Sequence, residues 1–184
     1  IKKSIKNCNK TLVTIFINPK QFNKKNDYNK YPKNISRDLS ILKRFNIDFI
    51  FIPKKSDIYN YKRYKKIRLS KKDLILCAKY RKGHFEGVLD VMDRLTKLIN
   101  PKRIFMGKKD FQQFILVKNY IKKKYNIKVI GCPTIRDRSK VALSSRNFLL
   151  NKKELFSASQ IIKDLLNFKR KFKKSKNINY LLKL

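Results

Sequence analysis

The sequence contains no tryptophan, one histidine, three cysteines and four glycines among its 184 residues. Cys8, Cys77 and Cys132 lie far apart, form no CxxC pair and make no plausible zinc set with the single His84. No apolar run approaches the length of a membrane span. These absences argue against a disulfide-stapled or zinc-stapled domain and against a transmembrane chain. We expect reduced thiols, packed as small apolar groups, in a cytoplasmic protein.

Acidic residues are also scarce. The chain has 12 Asp and Glu against 49 Lys and Arg, which gives a formal net charge of +37. Such a charge first suggests nucleic acid, because Lys and Arg neutralise phosphates. The basic residues, however, are 38 Lys and only 11 Arg, and they are spread evenly, with +17 in residues 1–92 and +20 in residues 93–184. The abundance of Lys, Asn and Ile, which share A/T-rich codons, indicates genomic nucleotide bias and disfavours a nucleic-acid partner.

Short apolar runs alternate with amphipathic helical patterns as far as Pro133. This alternation predicts βαβ units and a parallel sheet, and therefore an α/β fold. The first strand is a continuous apolar run, which predicts burial on both faces, and Ser36 is expected to cap the first helix. The pattern changes after Pro133, so we place a domain boundary between residues 1–133 and 134–184. The predicted strands are 11–17, 48–52, 103–106 and 128–132, and the predicted helices are 35–45, 87–100, 110–124 and 152–168.

Polar residues gather where these strands end, at residues 18–23, 107–113, 133–136 and 143–147. Open α/β sheets bind ligands beyond the carboxyl ends of their strands, so the clusters predict one shared site. Gly107 permits close backbone approach to a ligand, Lys109 offers a point charge to a phosphate, and Asp110 can cap a helix or accept ribose hydroxyls. Taken singly, each cluster is also explained as a turn, a helix cap or a solvated helix surface.

Two further groups of side chains have a chemical interpretation. Ser144, Ser145 and Arg146 offer hydroxyls and a planar guanidinium, a suitable cradle for a triphosphate. Gln113 follows Asp110 by one helical turn and is expected to face the same crevice. Gln21 and Asn18 offer neutral donors and acceptors to a small polar acid.

The motifs NPKQFN, YP, HFEGV, GKKDFQQ, PTIR and LSSRN follow one another at residues 18–23, 31–32, 84–88, 107–113, 133–136 and 143–147. In order and spacing they resemble the pantoate–β-alanine ligase family over roughly residues 11–150. The resemblance implies a homodimeric protein with a Rossmann-like nucleotidyltransferase domain in residues 1–133 and a partial small α+β domain in residues 134–184. It also implies a ligase that uses ATP and Mg²⁺ to form pantoyl adenylate and pyrophosphate. The amine of β-alanine then displaces AMP to give pantothenate.

The resemblance implies roles for individual residues as well. Gln21 would contact pantoate and later β-alanine, and Gln113 would hold pantoate. Asp38 is the remaining acid at a position that the family uses for Mg²⁺, where Arg37 replaces a second acid. His84 and Arg81 would support the site without touching a substrate. The ATP-binding residues would be Gly107, Lys108, Lys109, Asp110, Ile135, Leu143, Ser144, Ser145 and Arg146.

The resemblance assigns no catalytic residue to this chain. The family's HIGH-like loop carries two histidines, one of them a catalytic acid, and is expected upstream of residue 1 behind a further strand. Residues 1–7 would then be the end of the helix that follows that loop. We therefore expect little or no turnover from the 184-residue chain. A basic nucleic-acid-binding module and another adenylate-forming nucleotidyltransferase are the alternatives.

Overall fold

A computed structural model describes residues 1–22, 25–29, 34–60 and 66–175 of the chain. Asn23 and the Tyr31-Pro32 motif lie outside these residues. The chain divides into two compact units, Ile1–Pro133 and Thr134–Leu184. In chain order the elements are α1 (Lys2–Asn7), β1 (Leu12–Thr14), α2 (Lys25–Asn29), α3 (Ile35–Leu42), β2 (Phe49–Phe51), α4 (Lys55–Ile58), α5 (Cys77–Tyr80), α6 (His84–Ile99), β3 (Arg103–Gly107), α7 (Phe111–Tyr125), β4 (Lys128–Cys132) and α8 (Lys152–Ser175).

The strands pair in parallel, and the predicted α/β class is confirmed. β1 pairs with β2, with Leu12 opposite Phe49. β3 pairs with β4 over its whole length, and its last residue Gly107 lies opposite Cys132. The ends of β3 and β4 are therefore level, which places the residues that follow Gly107 beside the carboxyl end of β4.

The first strand is shorter and more exposed than the sequence predicts. β1 covers Leu12–Thr14 and not residues 11–17, and Leu12 is 39% exposed. Among the described residues the strands form two separate pairs, with a cleft of about 730 Å³ lined by residues of both β1 and β3. β1 is exposed because one of its edges faces this cleft and not another strand.

Helix boundaries shift where a cap or a turn takes precedence over apolar periodicity. α3 is capped by Asn34, whose side chain accepts the Arg37 N–H at 2.8 Å, so the prediction of Ser36 as the cap is wrong. α6 begins at His84, earlier than predicted, because Gly83 adopts a left-handed φ of 77° and reverses the chain just before it. α8 continues to Ser175, past the predicted end, because the Lys-rich sequence there contains no Gly or Pro.

The core of the first unit lies between α6, α7 and β4. Val117 and Ile121 of α7 are fully buried, and Val88 and Leu89 of α6 and Val129 of β4 pack in the same cluster. α6 and α7 therefore form the rigid layer that supports the ends of the strands. No helix in the described ranges is both long and apolar enough to cross a membrane.

Candidate functional site

The turn Asn18–Phe22, here called the Asn18 turn, carries the predicted site residue Gln21. Residues Pro19–Gln21 form a single 3-10 turn capped by Asn18, and Pro19 sets its first helical residue. Asn18 is only 1% exposed. Its carboxamide nitrogen donates to the Gly87 carbonyl at 3.0 Å, and its oxygen accepts the Lys20 N–H at 3.1 Å. Asn18 therefore joins the turn to the first half of α6.

A close backbone approach seats the Asn18 turn against α6. A Cβ built on Gly87 would lie 2.4 Å from the carbonyl oxygen of Lys20, well inside van der Waals contact. Only glycine fits at this position without moving the turn or the helix. The motif HFEGV contains Gly87, but the sequence gives no indication that its partner is the backbone of Lys20.

The backbone of Gln21 is held a second time by His84. The Nδ1–H of His84 donates to the Gln21 carbonyl, since a carbonyl can only accept. His84 is 6% exposed, and burial lowers the pKa of its imidazole below the ordinary value. The hydrogen bond to Gln21 acts against this lowering of the pKa, the charge of Arg81 acts with it, and the charge of Asp110 acts against it. His84 is thus a neutral, buried support for Gln21 at neutral pH.

Residues Gly107–Asp110 lie exposed between β3 and α7. The Lys108 N–H donates to the Cys132 carbonyl at 2.8 Å, which extends the β3–β4 ladder by one residue. The side chain of Lys108 lies over Gly131, where an added Cβ would be 2.5 Å from its Cε. Lys109 is exposed, and Asp110 occupies the N-cap position of α7 without a side-chain hydrogen bond to the helix. Helix capping therefore does not explain why an aspartate occupies position 110.

The two glutamines of α7 differ in their surroundings. Gln112 accepts the Ala78 N–H at 3.3 Å and donates to the Ile75 carbonyl at 2.7 Å, so it holds the segment before α5. This is a structural role that the sequence does not predict. Gln113 is half-buried, and its predicted contact with a ligand stays a prediction.

The second unit carries the remaining predicted residues. The Leu143 N–H donates to the Ile135 carbonyl at 3.0 Å, and both side chains are largely exposed. Ser144 caps the 3-10 helix Ser145–Leu149 through its hydroxyl, which accepts the Arg146 N–H at 3.3 Å. The alternative explanation of residues 143–147 as a helix cap therefore applies to Ser144.

Asp38 is the residue predicted to bind Mg²⁺, and that role stays a prediction. Asp38 is an exposed residue in the first turn of α3, directly after Arg37. In the part of the chain that the structure describes, no three His, Cys, Asp or Glu side chains gather closely enough to hold a metal ion. The reaction proposed below assigns no step to a metal ion bound at Asp38.

A model of the family described as pantoate-β-alanine ligase matches residues 1–183 of the chain. The bifunctional pantoate ligase/cytidylate kinase of Prochlorococcus marinus subsp. pastoris is 47% identical over 178 residues, which are 94% of this chain and 35% of that protein. A pantothenate synthetase of Clostridium botulinum (strain ATCC 19397) is 40% identical over 166 residues, which are 90% of this chain and 59% of that protein. The chain thus spans less than two thirds of the length of these relatives.

Solved structures of similar proteins agree with the sequence comparisons. The pantoate-β-alanine ligase of Francisella tularensis, in complex with β-γ ATP and β-alanine, superposes with a TM-score of 0.82 at 37% identity. The superposition covers 88% of this chain and 63% of that one. The pantothenate synthetase of Thermus thermophilus superposes with a TM-score of 0.90 at 28% identity, over 99% of this chain and 67% of that one.

Proposed function

Because the chain belongs to the pantoate-β-alanine ligase family, we propose that it binds ATP and pantoate as part of an enzyme that makes pantothenate. One observation carries the proposal within the first unit. The Gln21 carbonyl accepts a hydrogen bond from His84, and Phe85, the next residue, packs in the same buried cluster as Phe114, which lies one helical turn after Asp110. The Asn18 turn and the loop after β3 therefore lie near each other, as two parts of one substrate site require. The family match favours neither alternative, the nucleic-acid module or another adenylate-forming enzyme.

The proposed reaction has two steps. A pantoate carboxylate oxygen attacks the α-phosphorus of ATP, which forms pantoyl adenylate and releases pyrophosphate. The amine of β-alanine then attacks the acyl carbon, the bond to AMP breaks, and pantothenate forms with loss of a proton. The adenylate makes AMP a good leaving group, so the protein mainly has to hold the reactants and neutralise phosphate charge.

We assign the roles as follows. The exposed Lys109 binds ATP phosphates, and the carboxylate of Asp110 accepts ribose hydroxyls. Gln21 and Gln113 bind pantoate, and Gln21 later binds β-alanine. Gly107 and Lys108 line the ATP site of the first unit. In the second unit Ile135, Leu143, Ser144, Ser145 and Arg146 bind ATP.

We also propose that the protein is a cytoplasmic, Rossmann-like homodimer and that Mg²⁺ enters with ATP. Mg²⁺ in nucleotide sites is commonly held by phosphates, water and one or two carboxylates. This coordination suits a chain whose described residues include no metal-binding cluster.

Binding measurements on the 184-residue chain test the proposal without requiring turnover. We expect isothermal titration calorimetry to detect both ATP and pantoate. Lys109→Ala should lower ATP affinity about tenfold or more, because a hydrogen bond to a charged group contributes about 1.5–3 kcal/mol.

Lys122→Ala is the matched control, since Lys122 is an exposed lysine near the other end of α7. It removes the same charge and should leave ATP affinity nearly unchanged. Equal losses in the two variants would mean that ATP is attracted only by the general positive charge, and would contradict the proposed site.

A further inference from the structure

We propose that Tyr59 is a positioning residue for pantoate, because its hydroxyl fixes the Asn18 turn and thereby the place of Gln21. Tyr59 is the C-cap residue directly after α4. It lies far from Gln21 in the sequence and belongs to none of the motifs that define the site. The inference rests on the proposed function, in which Gln21 binds pantoate.

The hydroxyl of Tyr59 completes the hydrogen bonding of a buried amide. It donates to the Asn18 carboxamide oxygen at 2.8 Å, and the same oxygen accepts the Lys20 N–H. The amide nitrogen is already committed to the Gly87 carbonyl. Because Asn18 is 1% exposed, water cannot readily replace the hydroxyl. Loss of the hydroxyl would remove one of the three hydrogen bonds of the Asn18 amide and so weaken its hold on the turn that it caps.

The ring of Tyr59 holds the turn through a second set of contacts. The Lys20 ammonium lies 4.0 Å from the ring centroid, and the Arg94 guanidinium carbon lies 4.8 Å from it. Both cations also contact the Asp90 carboxylate, Lys20 at 3.2 Å and Arg94 at 3.0 Å. Lys20 is therefore held by its backbone through Asn18 and by its side chain through Tyr59 and Asp90.

These contacts make the end of α4 and the middle of α6 a common support for the turn. Arg94 also donates to the carbonyl of Ile58, the residue before Tyr59, at 3.2 Å. Gln21 itself is joined to this support by its N–H, which donates to the Asn18 carbonyl at 3.3 Å. On its other side, the Gln21 carbonyl is held by His84. Removal of the Tyr59 hydroxyl should therefore loosen Gln21 and leave the fold intact.

The test compares two tyrosine-to-phenylalanine variants of the full chain. Tyr59→Phe keeps the ring that contacts Lys20 and Arg94 and removes only the hydroxyl. Tyr120→Phe removes a hydroxyl that donates to Asp93 at 3.1 Å, away from the Asn18 turn. We expect Tyr59→Phe to weaken pantoate binding about three- to tenfold, with ATP affinity unchanged. Tyr120→Phe should change neither affinity.

Amide hydrogen exchange gives a readout that does not depend on ligand binding. The N–H groups of Gln21 and Phe22 donate within the turn, to the Asn18 and Pro19 carbonyls. Tyr59→Phe should speed exchange at these two amides and leave the amides of α7 unchanged. If both amides exchange as in the unaltered chain, the positioning role is wrong. If exchange quickens but the unaltered chain binds no pantoate, the Tyr59 hydroxyl does fix the turn, but the proposed function, and with it the role toward pantoate, fails. A loss of ATP and pantoate affinity in equal measure would show general destabilisation and would also overturn the proposal.

Discussion

At the scale of single residues, the site depends on buried polar groups that fix a backbone turn. Asn18 and His84 are almost fully buried, and each bonds to the main chain of a segment distant in sequence. A buried polar group without a partner costs about 1–3 kcal/mol, so such contacts strongly favour one arrangement of the turn. The backbone from which the Gln21 side chain extends is thereby held in one position.

His84 should make the stability of the fold depend on pH below neutrality. Burial holds the pKa of the folded-state imidazole below its ordinary value. As pH falls from about 6.5, the unfolded chain takes up a proton before the folded chain does, so the free energy of unfolding decreases. It becomes constant again once pH is below the pKa of the folded state.

The measurement is urea denaturation at pH 7.5, 6.5, 5.5 and 5.0, for the unaltered chain and for His84→Asn. Because His84 is the only histidine, the variant removes the only imidazole of the chain. We expect the unaltered chain to lose stability over this range and the variant to lose less. If the free energy of unfolding falls equally with pH in the two proteins, His84 is not the group that causes the fall.

The site residues that the sequence predicts are those with distinctive chemistry after a strand, such as Lys109 and Asp110. Their roles stay predictions, but the structure removes the simplest alternative for Asp110, since its side chain does not cap α7. Tyr59 could not be predicted in this way. Its partner Asn18 lies 41 positions away, and a tyrosine at the end of a short helix has no local pattern that identifies a hydrogen bond across the fold.

At the scale of elements, Asp93 joins α6 to α7. Its side chain is 3% exposed and accepts from Tyr125 at 2.8 Å and from Lys124 at 2.7 Å, with Tyr120 as a third donor. Lys124 is 45% exposed, so its charge stays partly hydrated and the ion pair alone contributes modestly. Through the two tyrosine hydroxyls, Asp93 adds polar contacts between α6 and α7 to the apolar packing of the two helices.

Replacement of Asp93 by Ala should lower the free energy of unfolding by about 1–3 kcal/mol, because the donors of α7 lose a buried acceptor. Chemical denaturation followed by circular dichroism measures the change. Asp164→Ala, at an exposed position of α8, is the control and should change stability by about 0.5 kcal/mol or less. A loss at Asp93 no greater than that of the control would show that the helices are held by apolar packing alone.

The sequence predicts helix and strand bounds best where a local signal, such as a proline, ends an apolar run. β4 has the predicted bounds, Lys128–Cys132, because a short apolar run is stopped by Pro133. The first strand differs because the extent of a strand depends on its neighbours, which periodicity does not identify. With β2 on one edge and the cleft on the other, β1 is limited to Leu12–Thr14.

At the scale of the whole molecule, the net charge of +37 has little to do with the proposed reaction. The proposed site uses few of the basic residues, chiefly Lys109 and Arg146, and directs them at the phosphates of ATP. The other positive charges repel one another at low ionic strength, and salt screens that repulsion over about 8 Å under physiological conditions. Net charge is therefore a poor guide to what this protein binds. The order of the short polar motifs that follow the strands is a more specific guide, and it indicates ATP and pantoate.

Pantothenate formation tests the central claim most directly. The 184-residue chain is compared with the same chain joined behind the N-terminal residues of the Clostridium botulinum pantothenate synthetase that precede the matched region. Each protein is incubated with ATP, Mg²⁺, pantoate and β-alanine, and pantothenate and AMP are quantified by mass spectrometry. We predict that the extended chain forms both products in equal amounts, and that the 184-residue chain is slower by about 100-fold or more because the family resemblance assigns no acid catalyst among its residues. An extended chain that forms no pantothenate, or equal rates for the two proteins, would contradict the account.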